Sequence, residues 1–292
     1  MEIVKAHAFG NDFLLLDEAS VPPVPRAALA QAVCDRHRGL GADGLIFHNS
    51  PGLSNLAGSG TGPAQSGSLV PTGTVPVGVR MALLNADGSY SEVSGNGVRC
   101  LAAWIAEQTG LEPGAEVLVE TDAGPKRLEL LARGGGLFVF RAAMGQPEGI
   151  ATTRLNVDGR IVEVVTMRVG NPQCVVLGEV TGERLHSLAA KLAVHPHFPH
   201  GTNVELAAVE APDRVRILIW ERGVGPTEAS GTGACAAAVA AMTSGGACRD
   251  VAVVSPGGSQ RVEWREDGLY LTGSAQIIAS CHWRPAAMNR HG

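Results

Sequence analysis

Short runs of branched and aromatic residues recur along the chain, and most of them end in glycine-containing turns. They are "FLLLD", "RMALLNADG", "AEVLVETDAG", "LFVFRAAMG", "IVEVVTMRVGNPQCVVLG", "RVRILIWERG", "DVAVVSPGG", "RVEWRE" and "LYLTGSAQIIAS". Apolar runs of this length bounded by Gly predict strands, so the chain is sheet-rich. Helical spacing is confined to four stretches, of which "RAALAQAVCDRH" and "ERLHSLAAKLAVH" are two. The others are "EVSGNGVRCLAAWIA" from Glu92 and "EASGTGACAAAVAAM" from Glu228. These share one plan: Glu, a spacer, Ser-Gly-polar-Gly, then small apolar residues. Helices over Val98 to Gln108 and Ala234 to Thr243 are predicted, stopped by Gly110 and Gly245 just past their ends.

The second half of the chain echoes the first. At an offset of 160 residues Gly10 and Asn11 fall on Gly170 and Asn171; at 136, Ser94, Gly95 and Gly97 fall on Ser230, Gly231 and Gly233. Paired landmarks in one order predict a duplicated domain, with a period too long for a solenoid. The segment from Asn49 to Val79 has no charged residue and is rich in Gly, Ser, Pro and Thr, which predicts a long flexible insertion between strands. Its "GSGTGP" is followed by no helical pattern and is interrupted by Pro63, unlike a nucleotide-binding loop.

Composition narrows the function classes. At 292 residues two domains are the better reading. Charged residues make up 17%, hydrophobic residues 45%, and the net charge is -5. No basic stripe is present to neutralise phosphates, so nucleic acid is not an expected partner. The longest apolar run, nine residues from Ala234, is well short of the roughly 20 that cross a bilayer. The start, "MEIVKAHAFGNDFLLLD", has no basic region leading into an apolar core, and a cytoplasmic location is expected. Six cysteines occur without a C-x-x-C pair, which predicts buried thiols rather than zinc or disulfides. Pyridoxal phosphate needs a lysine, and Lys5, Lys126 and Lys191 all lie away from any phosphate-cradling loop, so no cofactor is expected. "HPHFPH" clusters His195, His197 and His200, but two prolines and no acidic neighbours favour a surface loop over a metal site.

The duplicated turns carry the chemistry. Gly95, Asn96 and Gly97, like Gly231, Thr232 and Gly233, would open a helix, where N–H groups lack partners and the macrodipole is positive. Each turn is therefore a socket for a carboxylate or oxyanion. If the halves are related by a pseudo-two-fold axis, both sockets face one cleft and Ser94 and Ser230 approach a bound molecule from opposite sides. Inverting a stereocentre needs that arrangement: one group removes the α-proton and the other delivers a proton to the far face. The alternative reading makes each serine a structural helix cap and nothing more. Glu92 and Glu228, two residues before each serine, read either as bases or as solvent-facing side chains.

The stretches "HAFGNDFLLLD", "DRHRGLGADGLI", "NADGSYSEVSGNGVRC", "GNPQCVV", "FPHGTNVE", "ERGVGPTEASGTGACAAAV", "SPGG" and "LTGSA" occur in the order found in the diaminopimelate epimerase family, which the chain resembles over nearly its whole length. The resemblance implies an α+β fold of two pseudo-symmetric domains, each a β-barrel-like sheet around a central helix. The halves would be 1–143, with 276–292 returning to it, and 144–275. It also implies cofactor-free interconversion of LL- and meso-diaminopimelate on the route to lysine and peptidoglycan, by a homodimer. Asn11, Asn85, Asn171 and Asn203 would line the site. Gly95, Asn96, Gly231 and Thr232 would hold the α-carboxylate, and Arg222 would pair with the distal carboxylate through its planar fork.

Three positions depart from the family. Its two catalytic cysteines correspond to Ser94 and Ser230, and its "GNPHC" histidine corresponds to Gln173; Glu221, the other group that tunes a thiol, is retained. Cys100 and Cys235 match other cysteines of the family and do not stand in for the missing pair. A thiol can be brought near neutrality by a helix terminus, whereas a hydroxyl needs a dedicated base, so slow turnover with binding intact is expected. Three readings of the serines stay open: substitutions that trap ligand, a chain that has lost or changed its reaction, and an enzyme working with hydroxyls. Gln173 favours natural divergence. Beside the epimerase stand two other readings: a related isomerase or dehydratase acting on another amino acid, and a non-catalytic amino-acid binding protein.

Overall fold

The structure, a computed structural model, describes residues 1–49 and 79–284; residues 50–78 of the predicted insertion lie outside the described residues. Two units divide the chain, Met1–Phe140 with Ala275–Gly292 as unit 1 and Arg141–Ser274 as unit 2.

Unit 1 contains β1 (Glu2–Ala8), β2 (Asn11–Asp17), α1 (Arg26–Cys34), β3 (Gly44–Asn49), β4 (Val79–Asn85), β5 (Tyr90–Ser91), α2 (Gly95–Thr109), β6 (Glu116–Thr121), β7 (Gly124–Gly134) and the start of β8 (Leu137–Gly145). Its pairings run β1–β2 antiparallel, β2–β3 parallel, β3–β4 antiparallel, β4–β6 parallel and β6–β7 antiparallel, with β5 folded back on β4.

Unit 2 contains β9 (Glu148–Val157), β10 (Arg160–Val169), β11 (Asn171–Leu177), α3 (Gly182–Arg184), α4 (Ala190–Ala193), β12 (Asn203–Ala211), β13 (Arg214–Glu221), β14 (Gly225–Thr227), α5 (Gly231–Ser244), β15 (Asp250–Ser255), β16 (Gly258–Arg265) and the start of β17 (Gly268–His282). Its pairings from β10 to β16 repeat those of unit 1 in order and sense: antiparallel, parallel, antiparallel, parallel, antiparallel, with β14 on β13. The duplication therefore lies in the strand ladder itself. Pro212 and Asp213 alone join β12 to β13, where residues 50–78 stand between β3 and β4, and this explains why the offset between landmarks falls along the chain.

The parallel pairs β2–β3 and β11–β12 need crossover connections, supplied by α1 and by the helical segment 182–193. These four strands are covered on both faces, and for that reason read as continuous apolar runs rather than alternating ones. On the α1 side of β2 and β3, Leu14, Leu16, Leu45 and Phe47 pack with Leu29 and Val33. On the other face lie the long helices. In α5 every residue from Gly233 to Ala241 is buried, and the helix packs against β10, β11, β12, β13, β15 and β16. A helix buried all round is the axis of its own domain, and alanines let the strands come close. In unit 1, α2 packs against β1, β2, β6 and β7. Each unit is thus a sheet wrapped about one central helix, as the resemblance implied.

Helix ends differ from the sequence reading at three places. The helix over "RAALAQAVCDRH" stops at Cys34, because the Asp35 carboxylate accepts from the N–H groups of His37 at 2.7 Å and Arg38 at 2.8 Å. Such a local turn competes with helix. The single helix predicted over "ERLHSLAAKLAVH" contains a π-helical turn at Leu185–Ala189. Gly110 ends α2 in the left-handed region (φ 66°), but Gly245, at φ -106°, is there for space: a Cβ would lie 3.0 Å from the Ala241 carbonyl and 2.9 Å from Val209 Cγ2.

His48 on β3 is buried beside Trp104 of α2, with ring centroids 4.3 Å apart. Burial pushes its imidazole down to about 4, against smaller upward effects of Asp17 and Glu18. A histidine that binds protons less well when folded contributes stability above its unfolded value of about 6.5, lost as the pH falls toward 4. Wild type is expected to lose about 3 kcal/mol more than His48→Phe across that window, measured by urea unfolding at stepped pH.

Candidate active site

In unit 1 the turn between β1 and β2 places both Phe9 (φ 55°) and Gly10 (φ 83°) in the left-handed region, the geometry of a two-residue hairpin turn. Phe9 tolerates this with its ring against the Arg99 guanidinium, 5.4 Å from the ring centre. The turn delivers Asn11. The Asn11 amide donates to Asp43 at 2.7 Å, and its carbonyl accepts from Asn96 at 3.3 Å. Arg99, buried in α2, donates to the Asn96 carbonyl. Behind Asn11, Arg36 bridges Asp12 at 2.7 Å and Asp43 at 2.8 Å, and Lys5 meets Asp12 at 3.0 Å. Burial opposes ionisation of Asp12, but its bonds to Arg36 and Lys5 prevail and hold the carboxyl below its ordinary value.

Ser94 sits at the head of α2 with extended backbone, its hydroxyl oxygen accepting from the Gly97 N–H at 3.1 Å. Gly95 and Asn96 open the helix. A Cβ on Gly95 would meet nothing within 4 Å, whereas one on Gly97 would meet Ile46 Cδ1 at 3.0 Å. Packing thus accounts for the second glycine and leaves the first unexplained. Asn85, at the end of β4, donates to Ser89 at 2.9 Å and is engaged there rather than with Asn11 and Asn96.

Unit 2 repeats the plan with more polar chemistry. Ser230 caps α5, accepting from the Gly233 N–H at 3.2 Å, and Gly231 and Thr232 open the helix. Register sets Gln173 beside Asn203 on β11 and β12, and carried one residue past the Val204–Trp220 pair it brings Glu221 of β13 onto the same rung. The corresponding rung of unit 1 holds Phe13, Gly44 and Asn85. Gln173 is 1% exposed and donates to the Asn171 carbonyl. Asn203 accepts from the Arg222 backbone N–H at 2.9 Å. Burial pushes the Glu221 carboxyl up, and the neighbouring Ser230 hydroxyl offsets part of that rise. Arg222 lies exposed in a depression with Phe198, His200 and Trp220, donating to the His200 carbonyl at 3.0 Å. Its stem passes Gly201 (φ 70°), where a Cβ would come within 3.1 Å of Arg222 Cδ.

The groups set aside from the sequence have settled places. Glu92 and Glu228 are exposed. Cys100 and Cys235 are fully buried inside α2 and α5, and burial pushes the Cys100 thiol far up, so neither replaces a serine at a helix head. Among the described residues no group of three or more His, Cys, Asp or Glu could hold a metal, and no helix is long and apolar enough to cross a membrane. Sequence reasoning missed Arg99, which fixes Asn96, and Glu205, which lies two residues beyond Asn203 on the same face of β12. The signal for Glu205 was strand alternation within "TNVE".

The family model for diaminopimelate epimerase matches residues 3–149 and 165–278. A diaminopimelate epimerase of Desulfitobacterium hafniense is 37% identical over 301 residues, covering 95% of this chain and 96% of the relative. One from Synechococcus elongatus is 36% identical over 300 residues, covering 96% and 97%. Among solved structures, a predicted epimerase from Pseudomonas aeruginosa superposes with a TM-score of 0.66 at 16% identity, covering 98% of this chain and 99% of that one. A probable proline racemase from Agrobacterium radiobacter gives 0.65 at 14%, covering 99% and 94%. At such identities the solved structures speak for the fold alone.

Proposed function

The chain belongs to the diaminopimelate epimerase family, and from that premise we propose that it interconverts LL- and meso-diaminopimelate by two-base α-proton transfer, with Ser94 and Ser230 in the base positions. The observation that carries this reading is the repeated socket: a serine at the head of each central helix, capping the third N–H and leaving the first two for a ligand. Gly95 adds support, since the space over it suits close approach by a carboxylate. Asn11 and Asn96 are held by bonds on their far sides and act as fixed donors. By the family likeness Asn85 belongs with the unit 1 socket and Asn171 and Asn203 with that of unit 2; Gly95 and Asn96 in the one, and Gly231 and Thr232 in the other, offer the free N–H groups to a carboxylate. Glu221, the carboxyl near the Ser230 hydroxyl, is the group that would take its proton. Gln173 orients Asn171 and cannot exchange a proton as a histidine would.

The α-hydrogen leaves as a proton, the electron pair delocalises into the carboxylate held by the sockets, and a proton returns to the opposite face. No redox partner or cofactor enters that balance. With hydroxyls at both base positions, turnover is slow. The test is incubation of LL-diaminopimelate in deuterium oxide, following α-deuterium by NMR and the meso form by chiral separation. The absence of both exchange and binding would overturn the reading. Arg222 supplies the distal contact, so Arg222→Met is expected to weaken diaminopimelate binding roughly 10- to 100-fold by calorimetry, in line with the loss of a charged hydrogen bond. Equal affinities in both proteins would remove Arg222 from the site.

A binding protein without turnover is the second reading, favoured by the fact that both serines already serve as caps. Binding with no exchange, even with thiols at both positions, would select it. A cytoplasmic homodimer is proposed on the family likeness alone.

A further inference from the structure

The face of β12 that meets α5 carries Asn203 and, two residues on, Glu205. Glu205 is 0% exposed, and neither of its carboxyl oxygens has a hydrogen-bond partner. A Cβ on Gly233 would lie 2.6 Å from Glu205 Oε1, which puts the carboxyl under the first turn of α5, beside the N–H that Ser230 caps. One titratable group faces it, Glu221 from β13; Cys174 of β11 lies close by but on the opposite face of the sheet, among Val204 and Leu206, and α5 itself contributes no charged side chain. Packing does not call for a carboxyl here. One rung inside Gly44 and Asn85, unit 1 places Ile46, which meets Gly97 as Glu205 meets Gly233.

We propose that Glu205 is a titratable gate on the Ser230 half of the site: it stays a neutral acid beneath the first turn of α5, so that Glu221 is the first of the two carboxyls to ionise, and it closes the helix head to a carboxylate ligand only when it is itself ionised. A buried carboxylate with no cation and no donor is far costlier than a buried acid, so the group keeps its proton. Burial first, and the neighbouring Glu221 charge second, push the Glu205 carboxyl well above its ordinary value. Two carboxyls this close share their titration, and the less buried Glu221 ionises first. Ionised, Glu205 would itself occupy the positive end of α5 and compete with a carboxylate ligand for it. The binding consequence rests on reading that turn as a carboxylate socket; the protonation state does not.

Two measurements separate these layers. With glutamate side chains labelled at the carboxyl carbon, the NMR resonance missing from Glu205→Gln belongs to Glu205. It is expected at the shift of a protonated acid near neutral pH, with the resonance missing from Glu221→Gln at that of a carboxylate. A carboxylate shift for Glu205 at neutrality overturns the proposal. Calorimetry then follows diaminopimelate affinity from neutral to alkaline pH in wild type, Glu205→Gln and Glu205→Ile, the last matching Ile46. At neutrality the three are expected to agree within about threefold. Wild-type affinity then falls about tenfold or more against both variants over the interval in which the Glu205 resonance moves. Parallel profiles through that interval overturn the gating role. If diaminopimelate binds none of the three, the epimerase reading fails while the NMR result still decides the state of Glu205.

Discussion

With Ser94 and Ser230 both replaced by cysteine, solvent deuterium is expected to enter the α-position of LL-diaminopimelate about 10²–10⁴ times faster than in the chain as it stands. A thiol near pKa 8.5 is a few per cent thiolate at neutrality, and a helix head brings it closer to half. A hydroxyl at the same place must hand its proton to a separate base, and Glu221 stands near Ser230 where the corresponding rung of unit 1 holds Asn85. The two positions contribute unequally on that ground. Either single replacement is expected to leave net conversion to the meso form slow, because a two-base transfer needs a competent acid as well as a competent base. The gain has an opposing term. Each serine accepts from the third N–H of its helix, and losing such a cap costs about 1 kcal/mol. The double variant should therefore be faster and measurably less stable. Unchanged exchange with ligand binding intact would remove these two residues from the reaction.

Gly39→Ala is expected to destabilise unit 1 by roughly 3 kcal/mol, lowering its melting temperature by about 6–12 °C in calorimetric scans. A Cβ at Gly39 would lie 2.4 Å from the Ala32 carbonyl oxygen and 2.5 Å from that of Val33, backbone atoms that no rotamer change can move aside. The chain after α1 folds tightly over the helix end: Leu40 and Gly41 both donate to the Val33 carbonyl, at 2.8 and 3.1 Å. Lys5 donates in turn to the Gly41 carbonyl at 2.6 Å. Displacing this loop disturbs Arg36 and Asp43, and through Asp43 the amide of Asn11. A fall in ligand affinity should accompany the fall in stability. A melting temperature within 2 °C of wild type, far less than about 3 kcal/mol implies, would show that the loop can shift freely.

Much of this was readable from residue order. The two Ser-Gly-x-Gly turns, the helices behind them and the repeated landmarks are local features, and local signals survive translation into coordinates. The rung of Gln173, Asn203 and Glu221 is different in kind. It joins three strands through one parallel and one antiparallel pairing, and register is not written in any of the segments alone. Asp12, Arg36 and Asp43 stood in quoted motifs without an assigned part, because their bonds depend on β2 running parallel to β3. Glu205 was passed over for a related reason. An acidic residue in a strand reads as solvent-facing until the helix that covers it is known, and only then does its lack of a partner carry meaning.

Strand β17 begins in unit 2 and ends in unit 1, where residues 276–282 pair with β1 and the Met1 ammonium donates to the Trp283 carbonyl at 2.9 Å. During synthesis this makes assembly non-sequential. Unit 2 is a continuous stretch of nascent chain, whereas β1, made well before it, waits for residues 276–282 before its edge is covered. A chain stalled after Ser274 exposes that bare edge to other growing polypeptides, the circumstance in which strand-by-strand aggregation and chaperone capture begin.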